Sequence, residues 1–180
     1  MPDLSRDELE AGLDHVGAAP ADGGSLQLLV RRPAIEEREL LEAGELNLDL
    51  GLVGDNWPDK GGEPGDPDAQ ITVMNARAAA LFADSDEHAD WAWAGDQLYV
   101  DLDLSKGNLP PGTRIGVGGA VLEVTAEPHL GCGKFSRRFG VDALKIVNSD
   151  VGREMRLRGL NAKVIEPGAI AVGDEVRKLG

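Results

Sequence analysis

Apolar residues recur along this chain in two rhythms, and the rhythm changes every ten residues or so. "DQLYVDLDLS" (96–105) alternates without a break: Leu98, Val100, Leu102 and Leu104 fall on one side, Tyr99, Asp101 and Asp103 on the other. A period of two belongs to a strand with one face in the core, so the pattern predicts a half-buried strand. "SLQLLVRRP" (25–33) predicts another, stopped by Pro33 because proline cannot donate to a ladder. "ITVMNARAAALFA" (71–83) opens β-branched and turns alanine-rich after Asn75, which predicts a strand running into a helix. In "TRIGVGGAVLEVTAEP" (113–128) the pair Gly118–Gly119 separates two β-rich runs at the spacing of a tight hairpin. The closing "NAKVIEPGAIAVGDEVRKL" reads as two or three strands joined by Pro-Gly and Gly-Asp turns.

Helical signals are shorter. Ser5 and Glu8 form a capping-box pattern ahead of Leu9, Leu13 and Val16, predicting a helix over about 4–16. "GVDALKIVNS" (140–149) predicts a second, and Ser149 caps a third that runs to about Arg158 and stops at Gly159. Residues 36–50 are acidic with irregularly spaced leucines, and no element type is assigned to them. "GLVGDNWPDKGGEPGDPDAQ" (51–70) is dense in Gly, Pro and Asp, and loops of that length in compact domains tend to carry function. No internal repeat appears, and no point divides the chain into two cores. Short strands with glycine turns and a few short helices predict a mainly β protein, a β-barrel decorated by short α-helices.

Composition narrows the function more than the fold. The 180 residues suffice for one substantial core, and 24 glycines and 10 prolines agree with many turns. The net charge of −14 argues against a nucleic-acid or anionic-membrane partner. No run approaches the roughly 20 apolar residues of a membrane span, and the acidic N-terminus lacks a signal pattern. One cysteine cannot make an internal disulfide, so a reducing cytoplasm is the expected location. The charge is uneven, however: residues 132–163 hold eight Lys or Arg against three acids, so that segment is positive within an acidic chain.

That cysteine, Cys132, lies in "PHLGCGKFSRRFG" (128–140), flanked by Gly131 and Gly133 and followed by Lys134, Arg137 and Arg138. Nearby cations favour the thiolate, which is both the nucleophile and the soft metal ligand. A buried, inert core cysteine is the competing reading, and the residues alone leave the two about level. His129 either serves as a base for the thiol or makes one structural hydrogen bond. His15, His88 and His129 show no zinc-like spacing, and no G-x-S-x-G or phosphate-loop motif is present. Asp55 and Asn56 follow Gly54 in an ordinary turn pattern. Asn75 and Arg77 sit where a strand passes into a helix, a position whose free N–H groups attract anions.

Taken together, "EPHLGCGKFSRRFGVDALKIVNS", "LRGLNAKVIEPGAIAVGDEVRKL" and the upstream "GLVGDNW" resemble the MOSC family, the domain at the C-terminus of molybdenum-cofactor sulfurases. The order of elements matches: a G-x-x-G-D turn, a cysteine trailed by basic residues, then a closing segment with Pro167, Gly168, Ile170, Val172, Gly173, Asp174 and Val176. The resemblance implies a β-barrel over 46–180, with residues 1–45 as a helix-plus-strand extension packed on it. It implies a molybdenum cofactor bound through Cys132, the Cys132 sulfur being the metal ligand and the catalytic centre. Lys134, Arg137, Arg138 and Arg158 would hold the cofactor's anionic end, with Asp55, Asn75 and Arg77 as additions to the pocket. Pyridoxal phosphate binding is a further property the family suggests. Enzymes of the family reduce N-hydroxylated small molecules. A single cysteine cannot hold a four-cysteine cluster, so a separate reductase would supply electrons. Two other readings stay open: a sulfur carrier with a Cys132 persulfide, and a non-catalytic binder of a phosphorylated small molecule.

Overall fold

The computed structural model describes residues 2–180. The chain begins with α1 (Arg6–Ala11), whose Ser5 and Glu8 complete the capping box, and α2 (Leu13–Gly17). The expected continuous helix is interrupted at Gly12, a position packed so closely that a Cβ would lie 2.4 Å from Leu81 Cδ1. Then follow β1 (Gly24–Arg31), β2 (Glu39–Leu41), β3 (Ala43–Asn47) and β4 (Gly51–Leu52). Residues 36–50, unassigned from the sequence, thus hold two strands. The long 51–70 segment is irregular after β4 apart from a 3₁₀ turn at Pro67–Ala69.

β5 (Ile71–Asn75) passes directly into α3 (Ala76–Ala83), with Asn75 as the cap that accepts from the Arg77 and Ala78 N–H groups. α4 (His88–Trp91) and a 3₁₀ turn at Ala92–Ala94 lead to β6 (Leu98–Asp101). β7 (Arg114–Val117) and β8 (Ala120–Val124) form the glycine hairpin, with Gly118 at φ +53°. Three short helices come next: α5 (Gly133–Phe139), α6 (Val141–Val147) and α7 (Asp150–Met155), the last capped by Ser149. The end is β9 (Leu160–Glu166), β10 (Gly168–Ala171) and β11 (Glu175–Leu179).

Seven strands close on themselves in the order β1–β11–β7–β8–β9–β5–β6, with β6 returning to β1, so the protein is a closed β-barrel. β2 hangs on the outer side of β1, and β10, β3 and β4 make a small second sheet. All barrel pairs are antiparallel except β5–β6, the pair joined by the α3–α4 crossover. β1 lies within residues 1–45, which the sequence reading set aside as an extension packed on the barrel. That boundary is corrected: β1 is a stave, hydrogen-bonded to β11 and β6, and the barrel does not close without it.

Two apolar clusters share the strands between them. One fills the barrel with Leu26, Leu29, Ile71, Val73, Leu98, Val100 and Leu122, joined by Leu46, Leu52 and Ile170 from the small sheet. The other lies between the outer wall and the helices, with Leu28, Val30, Met74, Tyr99, Phe82, Phe135 and Phe139. The bulge in β1 between Leu26 and Leu28 explains how successive leucines divide between the two. The alternation in 96–105 is real but the strand is not half-buried: Tyr99, on the second face, has no exposed surface because the helical layer covers it.

Candidate functional site

The stretch around Cys132, expected as a loop, is the start of a helix. Cys132 is the N-cap of α5, with extended backbone, and Gly131 before it is fastened on both sides by the Asn148 side chain. Gly131 has no room for a side chain, since a Cβ would lie 2.7 Å from Val147. α5 is held down by Phe135 and Phe139, both buried in the outer core. The thiol is thereby kept at the surface, exposed, at the rim of a cavity of about 660 Å³.

Partial burial alone would push this thiol up. The Phe135 and Lys134 N–H groups at the head of α5 and the Arg158 and Lys134 charges outweigh it, and the thiol lies below the ordinary cysteine value.

Six Lys or Arg side chains line the cavity with Cys132: Arg32, Arg38, Lys60, Lys134, Arg138 and Arg158. Two carboxylates, Glu36 and Glu127, line it too. Glu36 is bound by Arg138 and, at 3.3 Å, by Lys134, which hold its carboxyl below the usual range. Two more carboxylates lie behind the wall with fully buried side chains. Asp55 accepts from Arg32 Nε at 3.0 Å and Nη2 at 2.8 Å, from the Arg32 and Trp57 N–H groups, and from Gln97. Asp96 accepts from Arg158 and, at 2.7 Å, from His129 Nε2.

The arginines share one anchor. Four consecutive carbonyls each accept from a different guanidinium: Ala92 from Arg38, Trp93 from Arg138, Ala94 from Arg158 and Gly95 from Arg32. Arg138 also stacks 5.7 Å from the Trp93 ring, and Arg158 5.2 Å from Phe135. Arg38 makes no ion pair among the described residues; burial, then the Arg138 and Arg32 charges, loosen its hold on the proton. Arg158 Nε is a buried donor with no partner among the described residues.

Of the residues singled out from the sequence, the fold brings Cys132, Lys134, Arg138 and Arg158 to one cavity. Asp55 stands behind it and positions Arg32. Arg137 points elsewhere, into a small groove with Glu36, Lys134 and Arg138. Asn75 and Arg77 do not line the cavity. Asn75 caps α3 and donates to the Leu102 carbonyl, and Arg77 is consumed by Asp101 and the His15 carbonyl. Arg32, Arg38, Lys60 and Asp96 were missed. The one signal for them was the acid in "GLVGDNW", which needed a cationic partner.

Among the described residues no group of three or more His, Cys, Asp or Glu is placed to hold a metal ion. A metal at Cys132 would therefore bring its other ligands with it. The unpaired Arg38, the partnerless Arg158 Nε and the exposed thiol suit a ligand that is anionic at one end and thiophilic at another.

A search of curated proteins returned no match. Among solved structures, the YuaD protein of Bacillus subtilis aligns with 19% identity and a TM-score of 0.62, covering 85% of this chain and 93% of its own. YiiM from Escherichia coli aligns with 17% identity and a TM-score of 0.58, covering 87% and 70%. YiiM from Geobacillus stearothermophilus aligns with 13% identity and a TM-score of 0.56, covering 89% and 74%. At these identities the likeness is one of fold. The sequence model of the MOSC domain, in contrast, matches residues 60–177, about two thirds of the chain and the part that carries Cys132. This chain belongs to the MOSC domain family.

Proposed function

We propose that the protein binds the pterin-based molybdenum cofactor and reduces N-hydroxylated small molecules, with Cys132 as the protein ligand to the metal. The observation that carries this reading is an exposed thiol, ionising more readily than an ordinary cysteine, on the rim of a cavity lined by six cations. When bound, the cofactor supplies the redox-active metal and the ligands the chain lacks. Arg38, Lys60, Lys134, Arg138 and Arg158 would hold its anionic end, and Asp55 and Asp96 keep Arg32 and Arg158 in place for the task. The open cavity leaves room beside the thiol for a small substrate. Electrons would come from a separate reductase protein, as one cysteine cannot hold an iron–sulfur cluster.

The test is molybdenum content by elemental analysis, after expression in a host that makes the cofactor, for wild type and Cys132→Ser. Near-stoichiometric metal in the wild type and its loss in the variant is the expected result. Metal absent from both would sink the reading.

A second reading rests on the exposure of the same thiol: Cys132 as a carrier of persulfide sulfur. It predicts an added mass of about one sulfur on Cys132 that a reductant removes, and intact-protein mass spectrometry decides it.

A further inference from the structure

The Glu127–Leu130 segment and Arg158 form a wall with a cavity on each side, the Cys132 cavity and a smaller one of about 370 Å³. His129 stands in that wall and lines both. Its Nε2 lies 2.7 Å from Oδ1 of Asp96, which has no exposed surface. Burial opposes ionisation of Asp96, but Arg158 and His129 outweigh it and hold the carboxyl down at about 2. Asp96 is therefore a carboxylate and can only accept. Nε2 must carry the hydrogen, which in a neutral imidazole leaves the lone pair on Nδ1.

Nδ1 has no hydrogen-bond partner among the described residues, yet it is not sealed in. Arg158 Nε is the one buried side-chain nitrogen or oxygen without a partner among the described residues. Burial first, then Arg158, keep the imidazole below the ordinary histidine value, against the pull of Asp96. The ring is thus neutral near pH 7, fixed in one tautomer, with a basic nitrogen free in a wall that borders both cavities.

We propose that His129, oriented by Asp96, is the proton-transfer group of the Cys132 cavity and delivers a proton from Nδ1 to the oxygen released when a substrate N–O bond is reduced. This rests on the function proposed above. Reduction of R–NH–OH to R–NH₂ and water takes two electrons, here from the reductase protein, and two protons. In the step assigned to His129 the N–O bond breaks and its electron pair goes to oxygen. The Nδ1 proton moves to that oxygen and completes a water molecule. The nitrogen receives the two electrons and takes its proton from solvent, and Nδ1 is reprotonated through the open cavity. Asp96 stabilises the imidazolium while it exists.

Other charges set where Nδ1 titrates. Asp96 and Arg158 act on the ring most strongly, Arg32, which lines the larger cavity, adds a weaker effect, and Glu127 and Cys132 flank it on its own segment. Lys106, Arg153 and Arg156 surround the smaller cavity. A purely structural His129 would only fasten the wall to Asp96, and a glutamine amide can do that.

The test has two parts, both on cofactor-loaded protein. Nitrogen-15 NMR of the imidazole should show Nε2 protonated throughout and Nδ1 taking up a proton below the ordinary histidine value. Hydroxylamine reduction, driven by chemically reduced methyl viologen, is then compared for wild type and His129→Gln with the molybdenum content of each. Equal metal, a rate lower by about 10²-fold and loss of the wild-type rise in rate towards acid pH are expected. Equal metal with an unchanged rate and pH profile overturns the proton step alone, as does an Nδ1–H tautomer at neutral pH. The NMR arm needs no variant to fold. A wild type that holds no molybdenum overturns the function proposed above and the proton step with it.

Discussion

Replacing Asp55 by alanine is the most informative single perturbation of the cavity wall. Its carboxylate is completely buried and accepts five hydrogen bonds, three of them from Arg32, whose side chain is itself only 13% exposed. Asp55→Ala leaves that guanidinium without a counter-charge and strands the Trp57 N–H and the Gln97 amide. Breaking a buried pair from one side costs about 3–5 kcal/mol, a large part of the roughly 5–15 kcal/mol that holds a domain together. For a chain of this length each kcal/mol moves Tm by about 2–4 °C, so a fall of about 10 °C is expected. Equilibrium urea unfolding followed by tryptophan fluorescence measures the loss, with Trp57 reporting from beside the site. Asp55→Asn, which keeps one acceptor oxygen, should fall between. Arg32→Ala should cost far less in the Asp55→Ala background than in the wild type, since the partner is already gone. A loss under about 1 kcal/mol for Asp55→Ala would show that water or neighbouring groups replace the carboxylate, and the argument would fail.

Two further outcomes follow from the same electrostatics. The rate of Cys132 alkylation by iodoacetamide should rise with a midpoint below that of free cysteine, and Lys134→Ala should move the midpoint upward; a midpoint at or above the free value contradicts the description of the thiol. Stability should fall in acid: Asp96 is held at about 2 in the fold against 3.8 without it, so its contribution, roughly 2 kcal/mol, is complete above 3.8 and lost as pH drops towards 2. His129, lowered from 6.5, adds a loss in the same direction beginning at higher pH, because unfolding lets it take up a proton. An Asp96→Asn variant whose acid transition matches the wild type refutes the assignment.

Much of the barrel was legible because its staves follow local rules. The Gly118–Gly119 turn, the Asn75 junction and the Ser5 and Ser149 caps are each set by a few adjacent residues, and each appears where the pattern puts it. β1 was legible as a strand but not as a stave: its partners in the barrel are β6 and β11, far away in sequence, and no local signal names them. Tyr99 was misjudged for a related reason, since the helices that cover it are contributed by distant segments. At the site, Cys132 and the cations after it stood out because they are neighbours in sequence. Arg32, Arg38 and Asp96 did not, because a lone arginine near a strand end looks the same whether it faces a cavity or water. Arg77 misled for the converse reason: its place at a helix start is real, but Asp101 occupies it.

The turn at Ala92–Gly95 bears on how the protein assembles. Its four carbonyls gather arginines from 45 to 64 positions away along the chain, on both sides. Closing loops of that size gains nothing until the barrel has brought their ends together. The complete cavity therefore depends on the closed barrel. Residues 60–177, the stretch that matches the family model, lack Arg32 and Arg38 altogether. Cut to that length, the protein would keep its cysteine and lose two of the four arginines that meet at the turn.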